Sequence, residues 1–289
     1  MRSQMELDVQ DYELKGIGDL CNRILADYEF FPQPQVLLES DTLYKNVPPL
    51  QFSLNRDCDS FAIYANNQDV SRAELCRYFF QRYIDMPRGM RENFLFAESV
   101  KKLKKAIKSR VNVHLVYRGE QKTVAPCFFA YSPSQVRTYL VVCDDDETKA
   151  IPDRFRSLRL CYINSVALDT TEAYHCKNFK LSRQAEIFNE HFDPFLCHGK
   201  TITARLTDKG AKLYNKLTTN RPKVISTTEN SSSATSSIDN AGDYIFECSE
   251  KLAKVYFPQF LSEAEILEPR ELRLWFKEQF DNASKVYKR

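Results

Sequence analysis

The chain has 289 residues, of which 43% are hydrophobic and 28% charged, which leaves room for two or three domains with buried cores. A formal net charge of +2 excludes a polycation that coats nucleic acid, so any such binding must rest on a local patch. No apolar run reaches the roughly 18 residues of a membrane span, the opening MRSQMELDVQDYELK has no hydrophobic signal core, and the nine cysteines are scattered without a CxxC pair, so a cytoplasmic protein with reduced thiols and no membrane contact is expected.

The first predicted elements come as a repeat. DLCNRILADYEFFP at 19–32 returns at 74–87 as ELCRYFFQRYIDMP, with the same acidic-Leu-Cys opening, a Tyr nine residues on and a closing Pro. Leu20, Ile24 and Leu25, and then Leu75, Phe79 and Phe80, recur at helical spacing, and Ser71 with Glu74 has the spacing of a capping box. Upstream of the second copy, LQFSLN at 50–55 alternates like a half-buried strand, and RDCDSFAIYANN predicts a short helix. MELDVQ at 5–10 is expected to be a partner strand with Leu7 and Val9 inward. Strand, helix, turn and helix resemble a ribbon-helix-helix unit, and the doubling resembles a pseudo-dimer of such units within one chain. The alternative is two amphipathic helices alike by chance in a helical domain of no special type. Glu6 and Asp8 on the first strand would repel phosphates, so this module is expected to dimerise or dock a partner rather than read DNA.

Next comes a basic helix with Val100, Leu103 and Ile107 as its apolar stripe; between Lys101 and Lys122 the chain carries eight Lys or Arg against one Glu. Such a run is either a solvated face or a contact for an anionic partner. From Val111 the period becomes two: VNVHLVY, KTVAPCFFAYS, VRTYLVVCDD and SLRLCYINSVAL alternate between turn-like segments, as in a small antiparallel barrel. The strand ending in Tyr117, Pro126 in the next, Thr138-Tyr139-Leu140 and Arg159-Leu160-Cys161-Tyr162-Ile163 resemble the WYL domain, a barrel related to Sm and SH3 folds. The family's tryptophan is replaced by Thr138, and Tyr162 stands where its second arginine is expected.

Beyond an acidic and aromatic connector, ITARLTDKGAKLYNKL and the segment ending in Leu267-Glu268-Pro269 and a last helix resemble the C-terminal extension that often follows WYL domains. A serine-rich insert at 227–242 has no apolar periodicity and reads as a mobile loop. The expected class is α+β: a ribbon-helix-helix-like domain at 1–90 with a linker helix following, a WYL barrel with its leading helix at 91–175, a connector at 176–199 and the α/β extension at 200–289. This order resembles the WYL accessory proteins of type VI CRISPR systems. The resemblance implies single-stranded RNA and an RNA-guided RNase effector as partners, and a homodimer.

Barrels of this kind hold nucleic acid with aromatic faces beside cations. Tyr117, Tyr139 and Tyr162 offer rings; Arg118, Lys122, Arg137, Arg154, Arg156 and Arg159 offer charge-assisted contacts to phosphate. Alternation places Arg137 and Tyr139 on one face, and Arg159 opposite Tyr162, so Tyr162 carries less weight than Arg159. Against this stand core tyrosines with satisfied hydroxyls and arginines paired with the acids at 144–147. His114, His175, His191 and His198 sit in no triad motif, the His and Cys of the connector match no zinc spacing, and GIG at 16–18 lacks the rest of a nucleotide loop. No catalysis, metal or cofactor is therefore expected. The expected function is a non-enzymatic accessory regulator that binds RNA through the barrel; the alternative is a transcriptional regulator that senses a nucleotide or nucleic-acid ligand and binds operator DNA.

Overall fold

The computed structural model describes residues 1–34, 50–227 and 238–287; most of the serine-rich insert lies outside them. The chain forms two compact units, Met1–Val142 with Leu158–His175, and Cys143–Ser157 with Cys176–Arg289. It is mixed α+β among the described residues, with two antiparallel sheets. Among the described residues no helix is long and apolar enough to cross a membrane.

The repeat forms two helices of the first unit. In α2 (Ile17–Ala26) Leu20, Cys21, Ile24 and Leu25 are buried, and in α4 (Arg72–Asp85) Leu75, Phe79, Phe80 and Tyr83 are. Ser71 caps α4: its Oγ accepts the Glu74 N–H at 3.3 Å while Glu74 Oε2 accepts the Ser71 N–H at 3.0 Å, satisfying two donors that a helix start leaves unpaired. RDCDSFAIYANN becomes a 3₁₀ turn and α3 (Asp59–Asn66). All of these pack into one core.

The ribbon does not form. Residues 5–10 lie within a helix, α1 (Arg2–Asp11), and 50–55 join no strand. Met5 and Asp8 of α1 and its capping residue Tyr12 are buried, a helical spacing whose middle member is charged and therefore silent in an apolar pattern. Asp8 is fully buried because it accepts from Tyr83 Oη at 2.9 Å and Arg91 Nε at 2.8 Å. Leu7, expected inside, is 52% exposed. Leu50, Phe52 and Leu54 still pack against the helical core, without a ladder partner among the described residues.

After α5 (Arg88–Leu95) and α6 (Ala97–Ser109) come β1 (Asn112–Tyr117), β2 (Glu120–Ser132), β3 (Arg137–Cys143), β4 (Phe155–Arg159) and β5 (Ile163–Asp169). The sheet order is β4-β3-β2-β1-β5. Val113 of β1 lies opposite both Val124 of β2 and Leu168 of β5. The expected closed barrel is an open five-stranded sheet, with β4 and β5 as its two edges. A 3₁₀ turn, Leu160–Tyr162, carries the chain between them. Leu103 and Ala106 of α6 join Val113, Leu115, Val124, Leu140, Val142 and Ile163 in a second core, so the apolar stripe of α6 faces the sheet and its lysines face solvent.

The second unit adds α7 (Phe179–Glu190), β6 (Thr201–Leu206), α8 (Asp208–Lys216), β7 (Lys223–Thr227), β8 (Gly242–Glu247), α9 (Glu250–Tyr256), β9 (Ala264–Glu268) and α10 (Arg270–Val286), with sheet order β7-β8-β6-β9. Asn178, Thr207 and Ser249 each cap the helix that follows through an accepted backbone hydrogen bond.

Candidate nucleic-acid interface

The β1–β2 connection is a two-residue turn, Arg118-Gly119, closed by the Tyr117–Glu120 pair. Both residues have positive φ, 51° and 83°, the geometry that a tight hairpin demands and that glycine adopts without strain. The Arg118 N–H donates to the Tyr162 carbonyl at 3.2 Å, which ties the turn to the 3₁₀ segment. Two guanidinium groups therefore meet one ring: Arg118 lies 4.1 Å and Arg159 4.8 Å from the Tyr162 centroid. Arg159 Nη1 also donates to Tyr162 Oη at 2.9 Å. Tyr117 stands edge-on to Tyr162 at 6.1 Å, and burial pushes its hydroxyl pKa up. Arg118 is exposed, whereas Tyr162 is 8% exposed. The cations cover the ring, so the cluster offers donors to an anion rather than an open face to a base. Arg159 Nε is buried and has no hydrogen-bond partner among the described residues. Lys122 follows on the same hairpin and reaches Glu120 at 2.7 Å.

The other predicted contacts lie elsewhere. All seven residues of β3 are buried. Arg137, 6% exposed, pairs with Asp11 at 2.9 Å and lies 5.3 Å from the Tyr12 ring; Tyr139, 3% exposed, donates its hydroxyl to the Gln135 side chain. Arg137 therefore meets the helical module instead of solvent. Arg154 and Arg156 belong to the second unit. Arg154 is buried and donates twice to the Asp144 carbonyl, at 3.1 and 3.0 Å, while Arg156 pairs with the Asp144 carboxylate at 2.7 Å.

Sequence reasoning missed Glu92. From α5 its Oε2 accepts the Thr138 N–H at 2.7 Å, and the residue is fully buried. Desolvation raises its pKa; the Thr138 hydrogen bond and the charges of Arg137 and Arg159 oppose this less strongly. Between its unfolded and folded pKa values the native state then binds more protons than the unfolded chain, so this residue's contribution to stability falls as pH rises through that window. Glu92→Gln should remove the slope. The stability of the wild type relative to Glu92→Gln, measured by urea unfolding from pH 4 upward, should decline with pH; a difference that is flat or rises would contradict the assignment.

Near the 3₁₀ turn lies a cavity of about 620 Å³ that reaches Cys161 and Ile163. Five carboxylates line it (Glu13, Asp19, Asp27, Asp57 and Glu98) against Lys15, Arg23 and Lys101. That balance makes the interior of this cavity unfavourable for a polyanion.

Neither a family model nor a curated protein matches the sequence. Among solved structures, the chain is similar to one described as "Crystal structure of a CRISPR Cas-related protein", with a TM-score of 0.56, 15% identity, and coverage of 93% of this chain and 71% of that one. A second similarity is to proteasome accessory factor B/C (PafBC) of Arthrobacter aurescens, with a TM-score of 0.29, 16% identity, and coverage of 66% and 27%. At such identity the first likeness shows a shared fold alone, and the second, at its TM-score, carries no argument.

Proposed function

We propose that the chain is a non-enzymatic accessory regulator that binds single-stranded RNA, with Tyr117, Arg118, Arg159 and Tyr162 as a phosphate contact. The observation that carries this reading is the convergence of Arg118 and Arg159, from separate segments, on one tyrosine ring. The strand order β4-β3-β2-β1-β5, with a 3₁₀ turn between β4 and β5, supports a WYL-like domain whose sheet is open rather than closed into a barrel. A type VI CRISPR RNA-guided RNase as effector, and a homodimer, follow from the resemblance in domain order; the CRISPR-related structural neighbour is consistent with that setting. The small size of the cluster favours a second reading, a regulator in which the same two arginines hold the phosphate of a free nucleotide.

Arg118→Ala should weaken binding of a fluorescein-labelled oligouridylate about tenfold, the worth of one charge-assisted contact, and make the salt dependence shallower by about 0.7 in log–log slope. Fluorescence anisotropy across a salt series measures both. Unchanged affinity and slope would remove the cluster as the site. Displacement of the oligonucleotide by a mononucleotide at equal phosphate concentration would favour the second reading.

A further inference from the structure

A second polyanion contact lies on α6. Lys101, Lys104, Lys105 and Lys108 recur at i, i+3, i+4 and i+7 on one exposed face, a row roughly 10 Å long at 1.5 Å per residue. Among the described residues none of these four makes an ion pair; only Lys102 reaches an acid, Glu98 at 4.0 Å. Like charges at these spacings repel, and among the described residues no carboxylate lies within ion-pair distance of these four.

The row borders a groove of about 930 Å³, with Lys101 and Lys104 at its wall and Phe30 and Met90 within. Phe30 is 59% exposed although its ring is held by Phe31 at 5.4 Å and Phe94 at 5.0 Å. A fixed and accessible ring is a stacking platform that loses little freedom when a base covers it. Asp27 and Glu29 also line the groove. They repel phosphate, but they accept hydrogen bonds from the amino and imino groups of an unpaired base. Phosphates therefore belong on the lysine row and bases in the groove, an arrangement that requires free Watson–Crick edges and so excludes a duplex.

We infer that this face of α6 and the Phe30–Met90 groove form a second contact for single-stranded RNA, an inference that rests on the proposed function above. The test uses the full chain and the same labelled oligouridylate. Lys104→Glu/Lys108→Glu should weaken binding at least tenfold and make the salt slope shallower by about 1.4, two phosphates at roughly 0.7 each. Phe30→Ala should weaken it roughly fivefold or more with the slope unchanged, because stacking releases no counterions. All three positions are exposed, so thermal melting should hardly change. If the wild type binds and Arg118→Ala weakens it while the double variant retains wild-type affinity and slope, this inference fails and the first reading stands. A wild type that does not bind the oligonucleotide overturns both. Equal competition by duplex RNA, a preference for the deoxy strand, or capture of an acidic peptide in place of the oligonucleotide overturns the assignment to single-stranded RNA.

Discussion

Replacing Arg91 with Ala should cost about 3–5 kcal/mol of unfolding free energy, the range for stranding one member of a buried ion pair. The pair is bidentate: Nε and Nη2 of Arg91 meet the Asp8 carboxylate at 2.8 and 3.3 Å, with side-chain exposures of 7% and 0%. Arg91 Nη1 also donates to the carbonyls of Ile84 and Met86, at 3.2 and 2.8 Å, so one guanidinium both balances a charge and satisfies the end of α4. Tyr83 Oη donates to the same carboxylate, and burial together with the Asp8 charge keeps that hydroxyl protonated. Lysine at 91 should not rescue the loss, since an ammonium cannot serve a carboxylate fork and two carbonyls at once. Asp8→Leu combined with Arg91→Leu should recover only part of it, because an apolar pair leaves no unpaired charge but takes a partner from the Tyr83 hydroxyl and from the Ile84 and Met86 carbonyls. Urea unfolding followed by far-ultraviolet circular dichroism measures all three; a loss under about 1 kcal/mol for Arg91→Ala would show that Asp8 is otherwise satisfied.

Phe79→Ala should be of similar size, about 3–5 kcal/mol, the usual cost of removing a fully buried ring and leaving a cavity. Phe79 is the hub of the helical core. Its ring centroid lies 5.2 to 6.4 Å from those of Tyr28, Phe31, Phe61, Tyr64 and Tyr78, so its removal takes an aromatic contact from each as well as buried area. Phe79→Leu should retain much of the stability, and the same unfolding assay separates the two. A small effect for Phe79→Ala would mean that the surrounding rings collapse into the space.

Much of the helical architecture could be read from apolar spacing. Both copies of the repeat, the Ser71 cap and the stripe of α6 follow their patterns, because each buries residues that are plainly hydrophobic. α1 did not, since its inward face includes Asp8, and a carboxylate is legible as interior only once Arg91 and Tyr83 are known to meet it. In β3 the alternation is real, but which side of a strand meets water depends on what covers it. The cover there includes Asp11, more than a hundred positions away in sequence.

The candidate cluster shows the opposite failure. Counting by twos placed Tyr162 away from Arg159, yet residues 160–162 form a 3₁₀ turn, where the period of a strand no longer applies, and the ring swings back beneath both arginines. Arg118 was recognised as a cation. Its aim comes from the backbone of an Arg-Gly turn, which is a local signal and could have been used.

Glu92 accepts a main-chain hydrogen from β3 while rooted in α5, and Arg137 reaches back to α1. With these two clasps the strand and the helices of the first unit should open and close as one cooperative block, so their amides should share a single protection class in hydrogen exchange and no hinge should divide them.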